Sequence, residues 1–487
     1  MARWFKLEKV AQPPGRKRRG QIEYVLHVWP HRPPADEEWA RELASRFLFF
    51  FRDDLMRLWL VRIRADEKAR GLLEEGAANM LKLSERTLQM GVAPFISRVV
   101  LRNYRSIGQC DVKLGALTYL VGANGAGKSN FVDALHLVSD ALQSSLDQAL
   151  NLRGGLSEVR RRSAGHPTHF SIRLDFQLDG QSGHYAFNVG ALKNRGFEVQ
   201  TEELCLGGQG KGPYYRVERG HVKASSEPST PSLTGDRLAL VAMSGFSAFR
   251  PVFDALTSMG FYNLNPKLMR DLQKPQEGRL LKPVGENIAS VIGHLERVNP
   301  DAVRTIEEYL RTVVPTVHAV ERQQIGPMET LQFRQDVPGV KDPWRFTAQN
   351  MSDGTLRALG VLTALFQSNQ DFAPTLIGIE EPETALHPGA SAAVREALQR
   401  ASNQTQVIVT SHSPDLLDDS SVLDTQILAV ISQDGETKLG PVDRASREAI
   451  RNGLFSAGEL LKLGQLEPDP ESLETQAKQI KLFEGLE

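Results

Sequence analysis

The sequence predicts an α/β fold, a mixed sheet flanked by helices, on three observations. A glycine run, Gly122-Ala-Asn-Gly-Ala-Gly127-Lys128-Ser129, separates an apolar strand pattern (Leu117 to Val121) from a helical one with Phe131, Val132, Leu135, Val138 and Leu142 on one face. A second apolar run, Thr375 to Ile379, ends in the acids Glu380 and Glu381. A third, Gln406 to Thr410, ends in Ser411-His412-Ser413-Pro414. Unbroken apolarity in such short runs suits strands covered on both faces, as in a parallel sheet.

The glycine run is a complete phosphate-binding loop. Gly122, Gly125 and Gly127 let the backbone curl so that successive N–H groups face phosphate oxygens. Asn124, Ala126 and Asn130 belong to the same cradle, and the helix starting near Lys128 adds its positive end. Lys128 reaches the β- and γ-phosphates, and the Ser129 hydroxyl binds Mg²⁺. Acids at the carboxyl end of a parallel strand lie where open α/β sheets bind ligands. There Glu380 suits the magnesium shell and Glu381 the polarising of an attacking water. Paired acids after a strand also arise by chance. His412, at the next strand end, suits sensing of a γ-phosphate, although a lone histidine is more often a surface or core group. Ser352-Asp353-Gly354 opens a helix and offers a hydroxyl and N–H groups to an anion. Taken alone, that turn reads better as an ordinary helix cap.

Read in order, the chain divides into five stretches. Residues 1–95 form a basic leader with a strand at Ile22 to Val28 and a largely helical segment from Asp36 to about Met90. Met80 and Met90 stand as alternative starts just ahead of the nucleotide pattern. Residues 96–206 carry an edge-type strand (Ile96 to Ile107), its continuation (Cys110 to Leu114), the phosphate loop and three antiparallel strands (Phe170 to Phe176, Tyr185 to Val189, Phe197 to Leu206). Residues 207–345 comprise a Gly/Ser/Pro-rich flexible loop (207–235) and a helical insert with helices at Asn287 to Val298 and Asp301 to Val313, closed by short strands. Residues 346–430 hold the serine-glycine turn, the paired acids and His412; residues 431–487 read as a C-terminal tail.

Composition narrows the class. With 41% hydrophobic and 24% charged residues the chain is an ordinary globular one. Two distant cysteines, Cys110 and Cys205, make neither a disulfide framework nor a zinc pattern, and point to a reducing, cytoplasmic setting. The sequence has no apolar run of membrane-spanning length. Residues 1–100 carry 19 Lys+Arg against 13 Asp+Glu, with Arg16-Lys17-Arg18-Arg19 as the densest run. Such a run touches phosphate backbones or is simply a solvated tail, and the tail is the commoner case.

As a set, the motifs resemble the ABC class of ATPases, and within it the cytosolic OLD-like and RecF-like group of AAA-family proteins. The residues that carry the resemblance are Val100-Leu-Arg-Asn-Tyr-Arg-Ser-Ile107, the phosphate loop, Met351-Ser-Asp-Gly-Thr-Leu-Arg357, Ile379-Glu-Glu-Pro-Glu-Thr-Ala-Leu-His-Pro388 and Thr410-Ser-His-Ser-Pro414. The resemblance implies a head with a helical insert and an ATP-sandwich dimer, each ATP lying between one loop and the partner's Ser352–Gly354 turn. It also implies Glu381 as catalytic base, His412 as switch histidine, and Asn103 with Arg105 near the nucleotide. Glu380 stands where transporter cassettes carry Asp, and His387 where their following loop has Asp. The absence of a long coiled coil argues against a repair-arm protein. With about 75 residues after His412, no TOPRIM-type nuclease domain is expected there. The leading reading is an ATP-hydrolysing, dimerising switch acting on DNA or with a separately encoded nuclease or effector, in phage defence or DNA repair. The alternatives are the ATPase subunit of a membrane transporter, which the roughly 230 residues between loop and signature disfavour, and an ATP-binding switch without turnover.

Overall fold

A computed structural model describes residues 95–483, apart from short gaps at 164, 166, 194–195, 208–211, 338, 369–371 and 479–480. It also describes three strands nearer the start of the chain: β1 (Phe5–Lys9), β2 (Ile22–Val28) and β3 (Trp59–Ala65). Two compact units result, Met1–Gly91 and Val92–Glu487.

In the first unit β2 pairs antiparallel with β1 and with β3. The strand at Ile22 to Val28 forms as expected. Trp59–Ala65, expected within a helical segment, is a strand instead. Its sequence, Trp-Leu-Val-Arg-Ile-Arg-Ala, puts arginines at alternate positions among β-branched residues, a period of two that overrides the helical reading. The basic run Arg16–Arg19, Met80, Met90 and the other leader positions expected to be helical lie outside the described residues.

The second unit is built on two large sheets. The first runs β11-β10-β9-β8-β7-β4-β5, antiparallel throughout, with β4 (Ile96–Tyr104), β5 (Ile107–Lys113), β7 (His169–Leu178), β8 (Gln181–Ala191), β9 (Phe197–Leu206), β10 (Tyr214–Glu218) and β11 (His221–Ser225). Two expectations change here. The stretch starting at Ile96 is no edge: β4 pairs on both sides, and β5 is the terminal strand. Residues 214–225, expected to be loop, form a hairpin whose alternation buries Tyr215 and Val217. Its turn puts Arg219 and Gly220 at φ 49° and 75°, the paired left-handed geometry of a tight two-residue turn.

The second sheet runs β12-β16-β17-β6-β18-β19, parallel except for the last pair. It comprises β6 (Leu117–Val121), β12 (Gly260–Tyr262), β16 (Leu376–Glu380), β17 (Gln406–Ser411), β18 (Ile427–Gln433) and β19 (Glu436–Pro441). Its side chains alternate between two separate cores. Leu117, Tyr119, Val121, Ile377, Ile379, Val407 and Val409 face the helices Asp353–Phe366 and Ser391–Ala401. Leu120, Leu376, Ile408, Leu428 and Val430 face the helix Lys128–Gln143, which the antiparallel sheet covers from its other side. That helix is consequently buried beyond the single face its sequence shows: Ala134, Leu137, Ser139 and Ala141 are inside as well. The helical insert, with helices Ile288–Val298 and Pro300–Val313, joins the first of these cores and carries a small antiparallel sheet of β13 (Val317–Ile325), β14 (Met328–Gln335) and β15 (Trp344–Thr347). Among the described residues no helix is long and apolar enough to cross a membrane.

The last stretch is not a tail. β18 and β19 complete the central sheet, and the helix Pro470–Lys478 lies against β5 and β19, the edges of the two sheets. Its Gln476 serves both: the side chain accepts from Asp111 N (3.2 Å) on one edge and donates to Leu439 O (3.1 Å) on the other. Buried Gln406 ties the sheets again, accepting from Ile96 N (2.9 Å) and donating to Ile96 O (2.8 Å) and Gly115 O (3.0 Å). A backbone group left buried and unpaired costs about 1–3 kcal/mol. Gln476→Ala should therefore lower the unfolding free energy of the full chain by about 2 kcal/mol in urea titration, with Gln476→Glu recovering little because it lacks the donor.

Candidate functional site

The central sheet's register builds the site. Glu380 pairs level with Thr410, and Thr410 with Leu120, so three strand ends arrive together. From Val121 the chain turns through the glycine run into its helix. Gly125 and Gly127 have φ 79° and 103°, where an L side chain strains the backbone. At Gly122 the constraint is space: a Cβ there would lie 2.0 Å from the Val430 carbonyl oxygen. Gly122 N also donates to Ser411 O (3.4 Å), linking the loop to the histidine's strand.

Lys128 curls back into its own loop and donates to Gly122 O (2.8 Å) and Ala123 O (3.0 Å). Burial pushes its ammonium below the usual lysine range, against the opposing pull of Glu381, Glu383 and Glu380. Ser129 Oγ donates to Glu380 Oε2 (2.5 Å), and His412 Nδ1 lies 3.2 Å from Glu381 Oε1. The structure therefore brings together Lys128, Ser129, Glu380, Glu381 and His412.

Glu381 sits at φ 44°, an uncommon conformation for a residue with a side chain. Its N–H donates to Thr410 O (3.0 Å). Arg357 holds the same turn from below: Nη2 donates to the Glu380 and Glu381 carbonyls (3.3 and 3.1 Å) and Nη1 to Leu264 O (3.0 Å). Burial depresses the guanidinium's pKa, and the same three glutamates counter it. Glu383 ties the acid turn to the histidine: Oε1 accepts from Ser411 Oγ (2.6 Å) and His412 N (3.4 Å).

Other predicted residues lie apart from this cluster. Ser352 caps its own helix, accepting from Thr355 N (3.1 Å), and Asp353 is paired with Arg270 (2.5 Å). No hydrogen bond joins Ser352, Asp353 or Gly354 to the loop among the described residues. Gly354 instead packs against the acid turn, where a Cβ would lie 2.4 Å from Ala385 O. Asn103 and Arg105 are both left-handed (φ 54° and 47°), and Arg105 pairs with Asp133 of the loop's helix (2.8 Å). Asn130, assigned to the phosphate cradle, turns its amide to Ser106 Oγ (2.6 Å).

Sequence reasoning missed Glu383, Arg357, Ser106 and Thr437. The first two lie inside motifs already singled out, where a third acid and a buried arginine were visible as letters without partners. Thr437 comes from the stretch read as tail, and a threonine in a Glu-Thr-Lys strand carries no signal of its own.

The family model described as "AAA domain, putative AbiEii toxin, Type IV TA system" matches residues 117–200 and 293–418. The OLD nuclease of Thermus scotoductus is 22% identical over 391 residues, covering 76% of this chain and 67% of the relative. The Old nuclease of Escherichia phage P2 is 23% identical over 349 residues, covering 66% of this chain and 57% of that one. Among solved structures, an SmcHead bound to the C-winged helix domain of ScpA aligns with a TM-score of 0.46 at 16% identity, over 71% of this chain and 97% of the other. The SMC head domain from Thermotoga maritima aligns with a TM-score of 0.39 at 13% identity, over 72% and 99%. Fold and site define a P-loop protein of the ABC/AAA ATPase class. The chain is similar to OLD nucleases over part of their length.

Arg357 gives a test of how the acid turn is held. Arg357→Ala leaves three buried carbonyls without their charged donor and should cost about 3 kcal/mol of stability in chemical denaturation. Arg357→Lys should recover only part of it, since one ammonium cannot fork between carbonyls as a guanidinium does.

Proposed function

We propose that the chain is an Mg²⁺-dependent ATP hydrolase that switches between monomer and ATP-sandwich dimer, acting on DNA or with a separately encoded nuclease or effector, in phage defence or DNA repair. The observation that carries the hydrolase reading is the alignment of three strand ends, which puts Ser129 on Glu380 and His412 on Glu381 beside one lysine-bearing loop. The donor set fits a magnesium-bound triphosphate: a buried ammonium, a serine hydroxyl already on a carboxylate, and inward N–H groups at a helix start. Lys128 and the loop would hold the phosphates, and Ser129 with Glu380 would hold the ion, which would supply charge neutralisation. Glu381 takes the proton of the attacking water, and His412 keeps that carboxylate oriented and meets the γ-phosphate. A cytoplasmic setting accords with two cysteines, Cys110 and Cys205, that are buried and far apart in sequence.

The pairing with a nuclease rests on the relatives' names, and the chain matches 67% and 57% of their lengths. The dimer reading is supported by the Ser352–Gly354 turn, which among the described residues makes no hydrogen bond to the phosphate loop of its own subunit.

Lys128→Ala should abolish ATP binding or turnover in a phosphate-release assay. Glu381→Gln should still bind ATP but hydrolyse it at least about 100-fold more slowly. A stall in Glu380→Gln with normal rates in Glu381→Gln would reverse the two roles.

The composite site is tested by mixing. Ser352→Arg blocks one interface half and Lys128→Ala the other, so a mixed dimer rebuilds one intact site. Activity should return to about half the wild-type value per mixed dimer, provided sites fire independently. Full activity of Ser352→Arg alone would leave the serine as a helix cap, worth about 1 kcal/mol.

A further inference from the structure

The phosphate loop is gripped from outside by two hydroxyls, Ser106 and Thr437, to which the sequence assigned no role. Thr437 Oγ1, buried on β19, donates to the Ala126 carbonyl (2.8 Å) and lies 2.7 Å from Ser106 Oγ. Asn130 Nδ2 in turn donates to Ser106 Oγ (2.6 Å). A hydroxyl has one proton. Since that of Thr437 goes to Ala126 O, Ser106 must donate to Thr437. The relay therefore runs one way, Asn130 to Ser106 to Thr437 to Ala126, and begins and ends on the loop and its helix. Ser106 comes from the β4–β5 turn of one sheet and Thr437 from the edge strand of the other. Their strands are joined at the same level by Thr437 N donating to Ser106 O (2.9 Å). Contact is close enough that a Cβ on Gly127 would fall 2.0 Å from Thr437 Oγ1.

A loop that binds phosphate must turn its N–H groups inward, and so its carbonyls outward. An outward carbonyl in a buried place needs a donor, or the peptide flips to find one. We propose that Thr437 is a positioning residue of the phosphate loop: its hydroxyl fixes the Ala126 carbonyl outward and keeps the neighbouring N–H groups aimed at the anion before it arrives. This rests on the reading of residues 122–130 as an ATP cradle. An internal hydroxyl on a strand more commonly serves only to satisfy itself. Here the acceptor is the peptide that precedes the left-handed Gly127, the point where the loop's direction is decided.

The test uses the full chain with Mg-ATP as the probe, comparing wild type, Thr437→Val and Thr437→Ser. Valine keeps the shape and removes the donor. Thr437→Val should raise Kd and KM for Mg-ATP about 5- to 20-fold while kcat at saturation stays within about twofold, and Thr437→Ser should restore wild-type values. Amide hydrogen exchange of residues 124–128 in nucleotide-free protein should quicken in Thr437→Val and not in Thr437→Ser. Unchanged Kd and unchanged exchange in the valine variant overturn the proposal, as does a loss confined to kcat or shared equally by serine. Should Thr437→Val not fold, Ser106→Ala takes its place, and unaltered loop exchange there overturns the relay. Wild type that fails to bind Mg-ATP removes the ATP reading instead, while the exchange measurement still decides whether Thr437 holds the loop.

Discussion

The constraint on which this structure depends is a helix buried between two sheets that share no strand. Lys128–Gln143 packs against the parallel sheet on one side and the antiparallel sheet on the other. Its first turn carries the phosphate loop, so any sliding of one sheet past the other would move the loop relative to the acids and His412. Apolar packing alone is non-directional and resists such sliding weakly. Directional bonds supply the rest. Gln406, from the parallel sheet, bonds Ile96 of the antiparallel one, Gln476 serves backbone groups of both sheets, and Ser106 and Thr437 cross the seam at the loop itself.

Seen this way, the C-terminal stretch is part of the machinery's frame. β19 contributes Thr437 and an edge for the helix Pro470–Lys478, and that helix covers the end strand of the antiparallel sheet as well. Covering both edges with one helix also protects them from pairing with other chains. The helices Ile288–Val298 and Pro300–Val313, in contrast, contribute to the core on the opposite face of the parallel sheet, while Leu238 to Phe261 ahead of them pack around the buried helix.

Much of the site was legible because its chemistry sits in contiguous motifs. The loop, the paired acids and the histidine each follow a short apolar run, and parallel-sheet geometry brings the ends of such runs together. The helix and most antiparallel strands were legible for the same reason, strong periodicity. What was not legible depends on partners distant in sequence. Nothing in Asp434-Gly-Glu-Thr-Lys438 says that its threonine will meet residue 126. The hairpin at Tyr214–Ser225 hid within a Gly/Ser/Pro-rich segment because composition was weighed over alternation. The strand Trp59–Ala65 was lost in an apolar-dense stretch where two periods compete. Residues 431–487 read as tail because their helices are short and polar; Pro470–Lys478 lies on the sheet edges, and Ala457–Lys462 packs on Pro414–Leu417.

The backward fold of Lys128 has a consequence for which molecules the loop admits. Its ammonium already rests on two peptide oxygens, Gly122 O and Ala123 O. Occupation is thus an exchange of one set of oxygens for another, and the gain is the difference between them. Peptide oxygens carry only partial charge, so a neutral or weakly polar visitor offers the ammonium nothing better and leaves it where it lies. A polyanion does offer more. On the proposed reading, the resting lysine would favour polyanions over uncharged molecules.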